Sequence, residues 1–226
     1  KTTVNVQMPN THNSVTLSLP SQSGDKTYQT IVNTEGDATA SKYNSVTSTV
    51  DGRINQSGNY TVITNEKDFS DIANKSADMR EAILFLASKG VINGTTATTF
   101  SPDNMLTRAQ VTSLIMRALG KIDNSLSANF TDVSPSDWYY HAAASSQKHK
   151  IIQGYDDRTF RGGAIVNKTQ IIVVSGRILT TEMNYKTLSN PSTYLSRYRD
   201  GVPEWAQSMV ALATKENLGA YREDKN

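Results

Sequence analysis

One arginine of this sequence, at the start of an expected helix, has the type and position to bind a charged ligand. The stretch Thr107-Arg-Ala-Gln110 has the spacing of a capping box, in which the Thr and Gln side chains bond each other's backbone N–H groups. Arg108 lies between them with no structural duty that the pattern assigns. A guanidinium pairs with carboxylates through two parallel hydrogen bonds, and a helix N-terminus adds unpaired N–H groups and a favourable dipole. Arg108 is therefore a candidate anion-binding residue.

The frame around Arg108 occurs twice, with a spacing of 60 residues. Phe100–Gln110 is repeated at Phe160–Gln170, where Lys168 stands in the place of the arginine. Lysine keeps the charge but lacks the planar fork of donors. We therefore expect the second copy to bind an anion more weakly than the first.

Helices are expected on both sides of the first loop. Apolar residues recur at three- and four-residue spacing through Met79–Ala87, with Ser76 as the expected N-cap and Gly90 as the left-handed residue that ends the helix. A second helix is expected between Thr107 and Gly120. Two helices and their connecting loop thus make up one repeat.

A second repeat follows the first. Phe130-Thr-Asp-Val133 corresponds to Phe69-Ser-Asp-Ile72 of the first repeat. Ser134, followed by proline and closed by Asp137, has the spacing of another capping box and predicts a helix around Trp138–Lys148. The second half of this repeat consists of Phe160–Gln170, which repeats Phe100–Gln110, and of the helix expected after it.

A third start appears near the end of the sequence. Tyr198-Arg-Asp-Gly201 resembles the earlier starts, and Pro203-Glu-Trp205 is expected to open a helix. The sequence ends at Asn226 before a third Thr-Arg loop. We count two and a half repeats.

Residues 1–66 have a different pattern. Alternation of polar and β-branched residues in Thr3–Gln7 and Val15–Leu19 predicts strands with one buried face. Pro9-Asn10 is an expected turn, and Asp51-Gly52 is expected to be the turn of a hairpin that joins Val46–Val50 to Gly58–Thr64. We interpret this part as an all-β, partial sandwich-like segment that serves as a spacer or as the tail of a β domain.

Composition excludes several classes of function. The 226 residues carry a net charge of +2 and no cysteine, which argues against a nucleic-acid-binding surface and against disulfides or thiolate metal sites. No apolar run approaches the length of a membrane span. His12, His141 and His149 lack metal-ligand spacing, and no phosphate loop, nucleophile elbow or convincing carboxylate pair is present. We therefore expect no cofactor, no metal and no catalysis from these residues.

The ordered motifs of the repeats resemble the S-layer homology (SLH) domain. The resemblance rests on Phe-x-Asp-Val/Ile, a Trp near a helix start, Gly-Val/Ile-Ile-x-Gly, Phe-x-Pro and Thr-Arg-Ala-Gln, and covers about residues 69–226. It implies a multidomain chain in which the β-rich segment precedes an α-helical unit of pseudo-threefold type with a truncated third repeat. We place the β-rich segment at 1–66, the first repeat at 67–122, the second at 128–183 and the partial third at 196–226.

The resemblance also implies a function. SLH domains hold exported proteins non-covalently on the wall of Gram-positive bacteria by binding a secondary cell-wall polysaccharide, with pyruvylated sugars, in grooves between repeats. The expected location is extracellular, at the cell wall or S-layer, and the expected partner is this polysaccharide or a peptidoglycan-linked glycan. The candidate polysaccharide-binding residues are Arg108, Lys168, Trp138, Trp205, Thr107, Asp71 and Asp132.

Departures from the family pattern leave alternatives open. The motif's Glu is Gln110 in the first repeat and Gln170 in the second, and Asp78 stands where the second repeat has Trp138. The module could instead assemble with copies of itself in a surface layer or fibre, with its glycan sites degraded. A third reading is an anchor of a glycoside hydrolase whose catalytic domain lies elsewhere. The start at Lys1, without an initiator Met or signal peptide, fits an excised piece of a longer protein.

Overall fold

A computed structural model of the protein describes residues 2–8, 14–196, 198 and 201–218. The expected turn at Pro9-Asn10, His12 and the middle of the Tyr198–Gly201 start lie outside the described residues. The chain divides into two compact units, Lys1–Asn104 with Ser113–Leu126, and Met105–Thr112 with Ser127–Asn226. The boundaries proposed for the repeats stay predictions.

The N-terminal segment forms two antiparallel sheets. Its strands, within the described residues, are β1 (Thr3–Val6), β2 (Val15–Pro20), β3 (Gln29–Val32), β4 (Ala38–Thr39), β5 (Ser41–Asn44), β6 (Thr49–Ile54) and β7 (Gly58–Thr64). One sheet has the order β1-β7-β3-β4 and the other β2-β6-β5. Side chains from both sheets form one buried core of Leu19, Ile31, Val50, Ile54, Tyr60 and Val62. The strands predicted at Thr3–Gln7, Val15–Leu19 and Gly58–Thr64 and the sandwich-like character are confirmed. The strand predicted at Val46–Val50 is wrong in its first part, because the chain turns there and β6 begins only at Thr49.

The prediction of a hairpin turn at Asp51-Gly52 is wrong. Both residues lie inside β6 and pair with two neighbouring strands, so no turn occurs there. Gly52 has a packing role instead, because a Cβ atom at this position would lie 2.9 Å from the Cβ of Ser41. The Asp-Gly pair allows close approach of β5 rather than a change of direction.

The rest of the chain is helical. After a short 3-10 turn at Ser70–Ile72, the helices are α1 (Ala77–Ser88), α2 (Arg108–Ala118), α3 (Tyr140–Lys148), α4 (Lys168–Glu182), α5 (Ser192–Leu195) and α6 (Glu204–Lys215). The Ser76 side chain caps α1 by accepting from the Met79 N–H, and Gly90 after α1 has φ +66°, as predicted. None of the helices in the described ranges is long and apolar enough to cross a membrane.

The first helix of the second repeat, α3, begins later than predicted. Asp137 does accept a hydrogen bond from the Ser134 N–H, at 2.8 Å. This contact closes a turn, because the Asp137 N–H donates to the Ser134 carbonyl and α3 begins only at Tyr140. The expected helix at Pro203–Trp205 is present as α6, which packs on α4 through a core that includes Ile172, Val173, Ala206 and Val210.

Candidate functional site

The two loops that precede α2 and α4 are each held by an aspartate at the equivalent position of its repeat. Asp71 accepts hydrogen bonds from the Phe100 and Ser101 N–H groups at 2.8 and 2.6 Å. Asp132 accepts from the Phe160 and Arg161 N–H groups at 2.6 and 2.7 Å. The bond from Phe100 lowers the pKa of Asp71. Both predicted ligand residues therefore hold a loop, and their carboxylate oxygens are occupied by backbone donors.

An aromatic pair supports each loop. The rings of Phe69 and Phe100 lie 5.6 Å apart, and those of Phe130 and Phe160 lie 5.2 Å apart. Phe160 is fully buried and anchors the second loop in the core. The two loops thus share one frame, which consists of the aspartate and the pair of phenylalanine rings. Side chains outside this frame are not needed to hold the loop.

The capping box predicted at the start of α2 is confirmed. Gln110 Oε1 accepts from the Thr107 N–H at 2.8 Å, and Thr107 Oγ1 accepts from the Gln110 N–H at 3.3 Å. The Asn167 and Gln170 side chains form the equivalent box at α4.

The first N–H groups of α2 are not free for an anion, in contrast to the expectation from sequence. The Arg108 N–H donates to the Ala164 carbonyl at 2.8 Å, and the Ala109 N–H donates to the Gly162 carbonyl at 2.9 Å. Thr107 forms a β-bridge with Ile165 beside them. The loop of the second repeat has therefore taken these donors, and anion binding at this end of α2 depends on the Arg108 side chain.

The Arg108 guanidinium lies on an aromatic wall. Its Cζ is 5.0 Å from the centre of the Tyr155 ring and 5.3 Å from that of Phe160, and one of its nitrogens donates to the Gln153 carbonyl. Stacking on aromatic faces is favourable for a guanidinium. The side chain is thereby held in one place.

The charge of Arg108 is poorly compensated by the protein. Its Nε is buried without a hydrogen-bond partner, and no carboxylate of the described residues forms an ion pair with it. Burial lowers the pKa of Arg108, as do the positive charges of Arg177 and Arg161, while Tyr155 and the more distant Asp132 carboxylate raise it. Arginine stays protonated in proteins, so an unpaired buried donor and a charge without an ion-pair partner remain for a ligand.

Trp138 is connected to this wall by ring contacts. Its ring meets that of Tyr139 edge-on at 5.4 Å, and Tyr139 stacks on Phe160 at 5.7 Å. Trp138 is 67% exposed, which favours a binding surface over core packing. Arg108, Asp132 and Trp138 are thus brought together around Phe160.

The remaining candidates are less closely connected. Lys168 is exposed at the first position of α4, two residues before Gln170, whose amide donates to the Tyr155 hydroxyl at 3.3 Å. Trp205 is 59% exposed on α6 and forms no ring stack with a described residue. Asp71 belongs to the other compact unit.

Arg117 and Arg177 form no salt bridge among the described residues. Arg117 is exposed in the last turn of α2. Arg177 donates to the Ile151 carbonyl at 3.2 Å, and burial lowers its pKa. Among the described residues, no group of three or more His, Asp or Glu side chains could hold a metal ion.

Sequence reasoning missed Tyr155 and Arg161. The Arg161 guanidinium lies 3.9 Å from the Tyr155 ring centre, so both arginines contact one ring. A signal was available, because the first repeat has Thr95 and Ser101 at these positions. Differences between two copies of one loop point to residues that the shared frame does not need.

Comparison with known proteins agrees with this repeated frame. The S-layer homology domain matches residues 68–112 and 129–171. The chain is 30% identical over 167 residues to the amylopullulanase of Thermoanaerobacterium thermosulfurigenes, a match that covers 74% of this chain and 9% of that protein. It is 26% identical over 153 residues to the surface-layer 125 kDa protein of Lysinibacillus sphaericus, which covers 67% of this chain and 12% of that protein.

A further relative is named for anchoring. The cellulosome-anchoring protein of Acetivibrio thermocellus is 25% identical over 130 residues, which are 55% of this chain and 28% of that protein. The chain therefore spans only a small part of the length of the relatives it matches. SLH domains are non-catalytic modules that anchor proteins to the cell wall. Residues 68–112 and 129–171 are therefore S-layer homology domains.

Proposed function

We propose that this chain anchors an exported protein non-covalently to the bacterial cell wall by binding a secondary cell-wall polysaccharide, with Arg108 pairing with the carboxylate of a pyruvylated sugar. The observation that carries the proposal is the Arg108 guanidinium, held on Tyr155 and Phe160 with a buried, unpartnered Nε and no described carboxylate partner. Leaving such a group unpaired costs free energy that an anionic ligand would offset.

Exposed aromatic surface supports a sugar ligand. Trp138 is joined to the Arg108 wall through Tyr139 and Phe160. An exposed indole offers a flat apolar face to the C–H surface of a sugar, while a polar group nearby fixes orientation. In this proposal the Thr-Arg motif of the first repeat and the loop of the second form one groove, and Lys168 and Trp205 would contribute to a weaker one.

The wider features of the family belong to the same proposal. They are a pseudo-threefold arrangement with a truncated third repeat, a location outside a Gram-positive cell, and a wall or peptidoglycan-linked glycan as the partner. No catalytic step is assigned to these residues. A catalytic domain in the same polypeptide would be compatible with the name of the amylopullulanase relative.

A wall-binding assay tests the proposal. The full 226-residue chain is incubated with cell wall purified from Lysinibacillus sphaericus, before and after chemical removal of pyruvate. We expect wall binding that is lost with pyruvate, and a roughly 10- to 100-fold loss of affinity in Arg108→Ala because charge-assisted hydrogen bonds are removed. Arg117→Ala is the matched control, since it removes an exposed arginine from the same helix.

Two outcomes would contradict the proposal. Equal retention on wall without pyruvate rules out the pairing of Arg108 with its carboxylate. A sharp fall in Tm for Arg108→Ala, with no specific loss of affinity relative to Arg117→Ala, would assign Arg108 a structural role.

Self-assembly is the second candidate function, and an exposed apolar patch favours it. Met105, Leu106 and Ile165 are 76%, 43% and 51% exposed, and the Thr107–Ile165 bridge holds their two segments side by side. Exposed apolar side chains that cluster are common at interaction surfaces. Light scattering without polysaccharide should then show oligomers that Ile165→Ser disperses, whereas a strictly monomeric chain would contradict this alternative.

A further inference from the structure

The loop of the second repeat carries a second guanidinium beside Arg108. Arg161 Nη2 forms an ion pair with Asp157 at 2.8 Å, and its Nε donates to the Thr159 hydroxyl at 3.0 Å. The group lies 3.9 Å from the Tyr155 ring centre. Three contacts therefore fix a side chain that normally moves freely in solvent.

Asp157 is itself held in place as the partner of Arg161. Its carboxylate accepts from the Thr159 hydroxyl at 2.5 Å and from the Thr159 N–H at 2.9 Å. These bonds, together with Arg161, lower the pKa of Asp157 to about 2. The carboxylate is ionised at any physiological pH and keeps Arg161 oriented.

Fixing Arg161 next to Arg108 places two like charges on one ring. The Arg161 side chain is 49% exposed, and its Nη1 has no partner among the described residues. A solvated arginine would move away from a second cation, since an exposed ion pair contributes little to stability. Here the contacts with Asp157, Thr159 and Tyr155 prevent that movement.

The first repeat shows that this arrangement is not needed to form the loop. Thr95, Ala97 and Ser101 stand in the places of Tyr155, Asp157 and Arg161. Even so, Ser101 and Arg161 have φ values of +61° and +59°. An equivalent aspartate accepts a hydrogen bond from the N–H group of each. The three residues of the second loop are therefore additional to its frame.

We propose that Arg161, positioned by Asp157 on the Tyr155 ring, is a second ligand-contacting cation that makes this site selective for strongly acidic segments of the glycan. The inference rests on the proposed function, because it assigns a further specificity residue to the Arg108 site. The glycan reaches Arg108 at the buried wall and Arg161 at its exposed edge.

Isothermal titration calorimetry with soluble, pyruvylated wall polysaccharide tests this assignment on the full chain. We expect Arg161→Gln to lower the affinity about tenfold, because one charge-assisted contact is lost. Its affinity should also respond less than that of the wild type when NaCl is raised from about 0.05 to about 0.5 M. Arg158→Gln is the matched control, since Arg158 is exposed in the same loop and its side chain forms no hydrogen bond, ion pair or ring contact with a described residue.

Asp157→Asn and Arg161→Ser complete the test. Asp157→Asn should lower the affinity less than Arg161→Gln and should not weaken the salt response, since the charge of Arg161 remains and one negative charge is removed. Arg161→Ser installs the residue of the first repeat, so its Tm should equal that of the wild type. A lower Tm in Arg161→Ser would make Arg161 structural and overturn the assignment.

The outcomes separate this inference from the proposed function. If Arg108→Gln loses affinity while Arg161→Gln equals Arg158→Gln, the anchoring function stands and the role of Arg161 is wrong. If the wild type itself does not bind the polysaccharide, both are wrong.

Discussion

The loops at 91–101 and 151–161 have the same frame and different surfaces. Each is held by one aspartate that accepts two backbone N–H groups, by a pair of phenylalanine rings, and by a residue at positive φ after the second ring. Only the second displays a tyrosine and an arginine fixed by a carboxylate. The comparison teaches that the frame is a structural requirement and that recognition is added to it at a few positions.

The hydroxyl-rich surface of the first loop illustrates the contrast. Thr95, Thr96, Thr99 and Ser101 bond one another through their side chains, at 2.6 to 3.1 Å. These contacts satisfy the loop internally and bring no charge to it. The second loop therefore carries charged side chains that the first lacks, although each loop is neutral overall and their backbones are held alike.

The largest expected difference between the loops lies in their aromatic anchors. Phe160 is fully buried and contacts both Phe130 and Tyr139, whereas Phe100 is half-buried against Phe69. Truncation of a fully buried Phe leaves a large cavity. We expect Phe160→Ala to lower the free energy of unfolding by about 4 kcal/mol and Phe100→Ala by about 2 kcal/mol, measured by urea titration. Equal losses would show that the anchors are equivalent.

The residue that follows the first helix of each repeat also differs, and its expected effect on stability is smaller. Lys89 follows α1 and His149 follows α3 at the equivalent position. Lys89 is 3% exposed, its ammonium donates to the Gln29 carbonyl, and burial lowers its pKa to about 8. Between pH 8 and the ordinary value of 10.5, the unfolded chain holds the Lys89 proton that the folded chain has lost. Stability therefore rises with pH in that window.

The expected rise is about 2 kcal/mol between about pH 8 and pH 10. The range stops there because burial raises the pKa of Tyr60, whose contribution has the opposite sign at higher pH. Lys89→Met should be more stable at pH 7 and lack the rise, as measured by urea unfolding at each pH. An undiminished rise in that variant would assign the effect to other groups.

Exchange of the loop surfaces should have the smallest effect. In the triple variant Thr95→Tyr, Ala97→Asp and Ser101→Arg, the first loop receives the side chains of the second. Because the frame is shared, we expect a Tm within about 2 °C of the wild type by circular dichroism. A fall of more than about 5 °C would show that each surface is matched to its own copy and would weaken the comparison.

The local parts of this structure could be predicted from sequence. The caps formed by Ser76, Thr107 with Gln110, and Asn167 with Gln170 follow from side chains that bond backbone groups within three residues. Repetition of the motifs also allowed each helix pair to be expected twice. These features need no knowledge of distant partners.

Features that depend on distant partners were missed. Asp51-Gly52 has the chemistry of a turn, but the pairing of β6 with β2 and β5 decides its conformation. The donors at the start of α2 are taken by carbonyls more than fifty residues away, at Gly162 and Ala164. The stacking of both Arg108 and Arg161 on Tyr155 likewise joins segments that no local pattern relates.

The pairing of residues 106–109 with 162–166 has a consequence for the order in which the chain can fold. A nascent chain emerges N-terminus first, at roughly 5–20 residues per second. The N–H groups of Arg108 and Ala109 must wait for the carbonyls of Ala164 and Gly162 before they are satisfied. The first SLH repeat therefore gains the contacts that satisfy these two N–H groups within the protein only several seconds after its own residues have been synthesised, when the second repeat has emerged.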